Sequence, residues 1–132
     1  MPVLVDSNVI LDLVNQDQVW LEWSHSAIEA HTPEGLFANA MVYSELCCNA
    51  KSTSEVDALL NGMGVQMAEI PREALFLAAK AHLVYRRRGG TKTAPLPDFF
   101  IGAHAEVLGV AILTRDSARY RTYFPSVPLI CP

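Results

Sequence analysis

Long hydrophobic runs, paired cysteines and charge are what this chain has least of. No apolar stretch approaches the length needed to cross a bilayer, so no membrane span is expected. The opening Met-Pro-Val-Leu-Val-Asp has neither a basic segment nor a cleavage pattern, so the expectation is no export signal and a cytoplasmic protein. Cys47, Cys48 and Cys131 are odd in number, the first two are adjacent, and none forms a C-x-x-C pair. That argues against a disulfide framework and a structural zinc site, and for free thiols in a reducing compartment. Charged residues make up only 18% against 51% hydrophobic, which excludes a disordered chain. The 132 residues suit one domain with one filled core, spanning positions 1–132.

The little charge present is unevenly spread. Residues 1–70 carry ten acids and one base (Lys51), net −9, whereas residues 71–132 carry nine bases and four acids, net +5. Such a split favours an anionic partner on the C-terminal half, or a second chain that matches one half; chance clustering on a solvated surface is the competing explanation.

Hydrophobic patterning predicts a strand at Val3–Val5, then a tight turn and a helix over Val9–Val14 with Ser7 as its cap. A second helix is expected from Val19 to about His31, ended by Pro33 and Gly35. Leu36–Ala38 reads as a buried strand, and Asn39 as the cap of a helix from Met41 to about Ala50. Ser52-Thr53-Ser54-Glu55 has capping-box spacing ahead of a helix with Val56, Leu59 and Leu60 on one face. Val65–Ile70 follows as a strand, and Pro71 opens a long helix that Gly89-Gly90 closes. After a loop at Thr91–Pro97, a helix runs from Asp98 to Leu108 and stops at Gly109. A strand at Val110–Leu113, a short helix around Ser117–Tyr123 and an edge strand near Val127–Ile130 complete the chain. Strands that are apolar throughout and alternate with helices imply one α/β domain: a mainly parallel sheet covered on both faces.

In such sheets ligands bind beyond the carboxyl ends of the strands, near the point where strand order reverses. Asp6 ends the first strand and Asp116 lies just past the strand ending at Leu113, so both project from one sheet edge. Asp98 stands at a helix start, where free N–H groups favour an anion. Glu45 sits in a helix among Met41, Val42, Leu46 and Cys48, a setting that solvation explains poorly. Taken singly, Asp98 could be a cap, Asp6 and Asp116 turn residues, and Glu45 solvent-facing. Taken together, acids at strand ends and adjoining helix starts suggest one site. Two carboxylates ~6 Å apart in an effective dielectric of ~20 repel by roughly 3 kcal/mol, so a converging set must bind protons or cations. An all-carboxylate set suits Mg²⁺ or Mn²⁺, which activate water in phosphodiester hydrolysis. Asn8, Thr114 and Ser117 lie within two residues of an aspartate and could orient it or a bound water, or else simply cap helices and end a strand.

At this point the residues form a pattern. Val3-Leu4-Val5-Asp6-Ser7-Asn8-Val9 resembles the opening of PIN-domain nucleases, and three more blocks follow in order. They are Tyr43-Ser44-Glu45-Leu46, Pro97-Asp98-Phe99-Phe100-Ile101-Gly102-Ala103-His104-Ala105 and Leu113-Thr114-Arg115-Asp116. The resemblance covers essentially the whole chain, and its last third is most similar to VapC-like toxins of bacterial toxin–antitoxin pairs. It implies a three-layer α/β/α sandwich around a parallel sheet of four or five strands. It also implies that Asp6, Glu45, Asp98 and Asp116 are catalytic and bind Mg²⁺ or Mn²⁺, that the chain cuts RNA, that it forms a homodimer, and that a cognate antitoxin silences it.

Arg86, Arg87, Arg88 and Lys92 precede the loop to Asp98, and Arg115 adjoins Asp116; these cations would carry an RNA backbone past the acids. Arg86–Arg88 could equally be a solvated helix end favoured by the helix dipole. His104, about 600° round its helix from Asp98 at ~100° per residue, is expected to be packed or at the surface rather than a ligand. His25, His31 and His82 have no evident partner, and Trp20 and Trp23 read as core or dimer contacts. Three other classes compete with a ribonuclease. A non-catalytic regulatory module of the same fold remains an alternative. A phosphoacceptor receiver would need an acceptor Asp after a mid-chain strand and a late lysine, and a haloacid-dehalogenase-like phosphatase would need D-x-D where Asp6-Ser7-Asn8 stands.

Overall fold

Each strand is short and mostly apolar, and each but the last is followed by a helix. The computed structural model describes all of Met1–Pro132. Strands β1 (Val3–Val5), β2 (Leu36–Ala38), β3 (Val65–Met67), β4 (Ala111–Leu113) and β5 (Leu129–Ile130) form one sheet in the order β3-β2-β1-β4-β5. Every pairing is parallel, with Val3 opposite both Leu36 and Ala111, and Leu113 opposite Ile130. The expected α/β/α sandwich with a parallel sheet is therefore present, at five strands. β1 and β2 are buried along their whole length, as strands covered on both faces must be.

Between β1 and β2 lie α1 (Ser7–Val14) and α2 (Leu21–His31), with a short 3₁₀ turn at Thr32–Glu34; between β2 and β3 lie α3 (Ala40–Cys47) and α4 (Thr53–Met63). The return from β3 to β4 carries α5 (Arg72–Arg87) and α6 (Pro97–Leu108), and α7 (Ala118–Tyr123) joins β4 to β5. With strands in this order, the right-handed rule for parallel crossovers assigns α1–α4 to one face and α5–α7 to the other, and α3 also touches α6. The core runs through both layers, with Leu4, Val9, Ile10, Phe99, Ile101, Ile112 and Leu113 all fully enclosed. Each such side chain contributes ~2 kcal/mol by leaving water.

The element starts and stops follow local chemistry, with some shifts from expectation. Asn39 caps α3, its Oδ1 accepting from the N–H groups of Met41 (3.0 Å) and Val42 (3.1 Å). Ser52 caps α4 through the Glu55 N–H (3.2 Å). Gly109, at φ 69°, stops α6 in the left-handed conformation that a side chain disfavours. At α1, however, Asp6 rather than Ser7 is the cap: its Oδ1 accepts from the Ser7 N–H at 2.8 Å. Pro71 and Leu96 precede their helices, so Pro97 rather than Asp98 is the first residue of α6. Helix α2 begins at Leu21, because Asp17 Oδ1 holds the Val19 and Trp20 N–H groups in a turn. β3 and β5 are shorter than the apolar runs suggested, since each lies at an open edge with a single neighbour.

Candidate active site

The chain leaves β1 to build β2 and β3 on one side, then returns to place β4 and β5 on the other. The reversal falls between β1 and β4, where the connections after the two strands run in opposite directions and leave a crevice beyond their carboxyl ends. Asp6 follows β1 and Thr114 follows β4, and the Asp6 N–H continues the ladder by donating to Leu113 O at 2.9 Å. These two residues are therefore fixed against each other by the sheet itself.

Asp6 is buried and fully engaged. Its Oδ2 accepts the Tyr120 hydroxyl at 2.8 Å and the Thr114 hydroxyl at 2.9 Å, while Oδ1 takes the Ser7 N–H. With its one hydrogen spent on Asp6, the Thr114 oxygen accepts from Asn8 Nδ2 at 3.2 Å and from the Asp116 N–H at 3.1 Å. Asn8 Oδ1 in turn accepts the Arg115 N–H at 3.0 Å. Thr114 and Asn8 thus tie the turn that carries Asp116 to the start of α1. The Asp116 side chain is exposed.

Glu45 reaches the same crevice from the last turns of α3, and Asp98 from the first turn of α6. Asp98 Oδ2 accepts from Arg119 Nη1 at 3.2 Å, whereas Glu45 Oε1 is buried with no partner. The closeness of the acids shows in their proton affinities. Burial raises the pKa of Asp6, with the Asp116 charge adding to it against its three hydrogen-bond donors. Burial and then the charge of Asp6 raise Glu45, with Asp98 adding further and the Ser7 hydroxyl opposing. Burial and Asp6 raise Asp98, which Arg119 partly offsets. The Tyr120 hydroxyl, enclosed and facing these carboxylates, is pushed well above its ordinary value and stays a donor.

So Asp6, Glu45, Asp98 and Asp116, with Asn8 and Thr114, come together at one crevice. Such a set is all hard oxygen, suited to a divalent cation, and the unpartnered Glu45 oxygen faces the same demand. No group of three acidic, histidine or cysteine side chains is spaced to hold a metal ion as it stands. Ser117 occupies the cap position of α7 with no side-chain hydrogen bond there.

The basic residues are placed differently from one another. Arg115 is committed to Asp12, with Nε 2.6 Å from Oδ2 and Nη2 2.9 Å from Oδ1, and its guanidinium lies over the Trp20 ring at 5.3 Å. That forked pairing leaves it a structural role beside the site rather than a free cation. Arg86 Nη1 donates to the carbonyls of Thr91 and Lys92, folding the loop back onto α5. Arg87 and Lys92 are exposed, and Arg88 lies over the Tyr123 ring at 5.4 Å. His104 is packed, as expected: its Nδ1 meets Asn39 Nδ2 at 3.1 Å. Burial lowers its pKa, in keeping with a neutral ring.

Neither Tyr120 nor Asp12 stands out as a site residue in the sequence. For Asp12 a signal existed, since an acid between Leu11 and Leu13 is as poorly explained by solvation as Glu45. Tyr120 gave none, because its role depends on α7 folding back over the end of β1.

Comparison with known proteins places the fold. The PIN domain family matches residues 3–125. No curated protein sequence matches the chain significantly. Among solved structures, VapBC2 from Rickettsia felis, bound to a DNA fragment from their promoter, is similar at a TM-score of 0.74 and 13% identity, covering 99% of this chain and 98% of that one. VapBC-1 from nontypeable Haemophilus influenzae is similar at 0.72 and 15%, over 99% and 98%. A toxin–antitoxin complex from Klebsiella pneumoniae is similar at 0.69 and 20%, over 95% and 94%.

Proposed function

The chain belongs to the PIN domain family, and from that premise we propose that it is a metal-dependent endoribonuclease, the toxin of a toxin–antitoxin pair. The observation that carries this reading is the gathering of Asp6, Glu45 and Asp98 with raised proton affinity at the strand-order reversal, with Asp116 beside them. Asp6, Asp98 and Asp116, with Glu45 completing the set, would hold Mg²⁺ or Mn²⁺. The bound cation supplies a water of lowered pKa and charge stabilisation for the leaving oxygen of a phosphodiester. The chain's own groups prepare the site for it. Tyr120 and Thr114 hold Asp6 in one orientation, and Arg119 holds Asp98. The Thr114–Asn8 link keeps the Asp116 turn against α1. Ser117, next to Asp116, is near enough to orient a water.

RNA is the proposed substrate, guided by the exposed cations Arg86, Arg87, Arg88 and Lys92 beyond the acids. The fold shared with toxin–antitoxin structures supports a cognate antitoxin as partner, and a homodimer is the proposed assembly. No helix is long and apolar enough to cross a membrane. The test is cleavage of single-stranded RNA in Mg²⁺ or Mn²⁺, with EDTA as control. Asp6→Asn and Asp98→Asn should each abolish cleavage in a protein that still folds; full activity in either variant overturns the assignment. One observation favours a non-catalytic module instead, namely that no three acids stand ready spaced around a metal. Calorimetry separates the two readings: a nuclease takes up Mg²⁺ or Mn²⁺ and the module does not.

A further inference from the structure

Next to the carboxylates lies a cleft of about 350 Å³, lined by Tyr85, Asp98, Asp116, Arg119, Thr122 and Tyr123 and rimmed by Ala118. One wall is acidic and belongs to the site already described. The opposite wall is aromatic, and phosphodiester hydrolysis gives it no task. Tyr85 comes from the last turns of α5 and Tyr123 ends α7, and their rings meet edge to face at 6.5 Å. Both are braced from behind by Phe99, at 5.6 Å and 5.2 Å.

The surroundings hold these rings in place. A Cβ added at Gly90 would fall 2.3 Å from the Tyr85 ring, so only glycine lets the backbone pass so near. The Lys92 N–H donates to the Tyr85 hydroxyl at 3.4 Å, and Arg86 ties down the same loop. The basic stretch therefore folds against the aromatic wall, and Arg88 lies over Tyr123. Arg119 lines the cleft between the acids and the rings, and its side chain stays 40% exposed despite its bond to Asp98. The floor is thus rigid and aromatic, its margins are cationic, and it opens directly onto the metal-binding carboxylates.

We propose that this cleft is a nucleobase subsite, in which Tyr85 and Tyr123 receive the base of the nucleotide next to the scissile phosphate while Arg119 and Arg88 meet its phosphates. It rests on the nuclease reading and favours RNA that is single-stranded at that nucleotide, because a base within a duplex must first be unpaired and unstacked to enter a cleft. Contact with an aromatic ring discriminates weakly among bases, so the subsite selects for an unpaired base more than for its identity. The volume lies at the lower end of the range of small-ligand clefts, room for one nucleotide unit rather than a helix.

The test is fluorescence anisotropy of a labelled single-stranded decaribonucleotide, and of the same decamer made wholly abasic, both in EDTA so that nothing is cut. The intact decamer should bind the wild type on the order of tenfold to a hundredfold more tightly than the abasic one. Tyr123→Leu should remove that preference, and Tyr123→Phe should keep it, because the ring rather than the hydroxyl makes the contact. Ala118→Leu fills the cleft from its exposed rim without disturbing the core, and should act like Tyr123→Leu even if that variant folds poorly. Equal binding of both decamers to the wild type overturns the proposal. So does a loss in Ala118→Leu that is as large for the abasic decamer, which would mark a general electrostatic or structural effect. The cleavage assay judges the nuclease reading separately: a wild type that prefers the intact decamer but never cuts RNA keeps the subsite and loses the enzyme.

Discussion

Glu45 Oε1 is buried without a partner, and burial and its acidic neighbours raise its pKa. A carboxyl whose pKa is higher folded than unfolded makes the folded state bind the extra proton. Its charge therefore costs stability as pH rises through the folded value, and the cost fades toward the unfolded value near ~4.3. Glu45→Gln removes the charge and keeps the shape. The metal-free protein should then melt at a higher temperature than the wild type at pH 8, because the charge that burial and Asp6 disfavour is gone. The gain should shrink toward acid pH, and a lower melting point at pH 8 would show that the carboxylate has a stabilising partner. Tyr120 makes the opposite case, since its buried hydroxyl donates to Asp6 at 2.8 Å. Tyr120→Phe should cost ~2 kcal/mol, as loss of a hydrogen bond to a charged group does. In the proposed nuclease it should lower kcat about tenfold, equivalent to ~1.4 kcal/mol of barrier, with KM little changed. Steady-state cleavage assays read that split.

At the scale of elements, two links hold the site's scaffold. Asp12 on α1 is only 2% exposed and joins Ser24 on α2 (2.6 Å) to Arg115 after β4. Arg115→Ala would leave that carboxylate without its counter-charge, for a loss of ~2–4 kcal/mol in urea unfolding, since one-sided loss of a buried pair is expensive. The other link is a close approach. A Cβ at Gly102 in α6 would stand 2.3 Å from the Phe124 ring just past α7. Gly102→Ala should therefore destabilise the chain by ~1–3 kcal/mol through overpacking, although alanine is the better helix former. A stability gain would mean that Phe124 has room to move aside. Here the sequence was partly legible. Asn39, Ser52 and Gly109 act within one or two turns, so local chemistry announces them. The Asp6 cap was missed because Ser7 satisfies the same local rule, and the burial that decides between them comes from β4 and α7. Arg115 looked like a cation for RNA because its sequence neighbours are site residues, whereas its real partner is 103 positions away.

For the molecule as a whole, a cation held as proposed would compete with protons for the raised carboxylates. Mg²⁺ or Mn²⁺ should raise the melting temperature, by an amount equivalent to ~2.7 kcal/mol at a hundredfold excess over Kd. The shift should be larger at pH 8 than at pH 5.5, because protons on Asp6, Glu45 and Asp98 compete with the cation at the lower pH. Differential scanning fluorimetry across pH tests this, and a shift that grows as pH falls would speak against carboxylate ligands. The −9 and +5 halves of the sequence do not fold into separate units, because the sheet interleaves them: β4 from the basic half pairs with β1 from the acidic half. Acids and bases of the two halves thus adjoin beside the crevice, as Asp12 and Arg115 show.

The sequence by itself determined the class of fold, since apolar strands alternating with helices admit little but a covered parallel sheet. It also marked Asp6, Asp98 and Asp116, which lie at strand ends and a helix start that local rules place, whereas Glu45, in the last turns of α3, is marked mainly by the family's motif. Only the tertiary structure decided what each polar group touches. Tyr120 on Asp6, Arg115 on Asp12, an orphaned oxygen on Glu45 and an aromatic cleft beside Asp98 all join parts of the chain far apart in sequence. Periodicity reports which face of an element is buried; which neighbour buries it is set by how the elements pack.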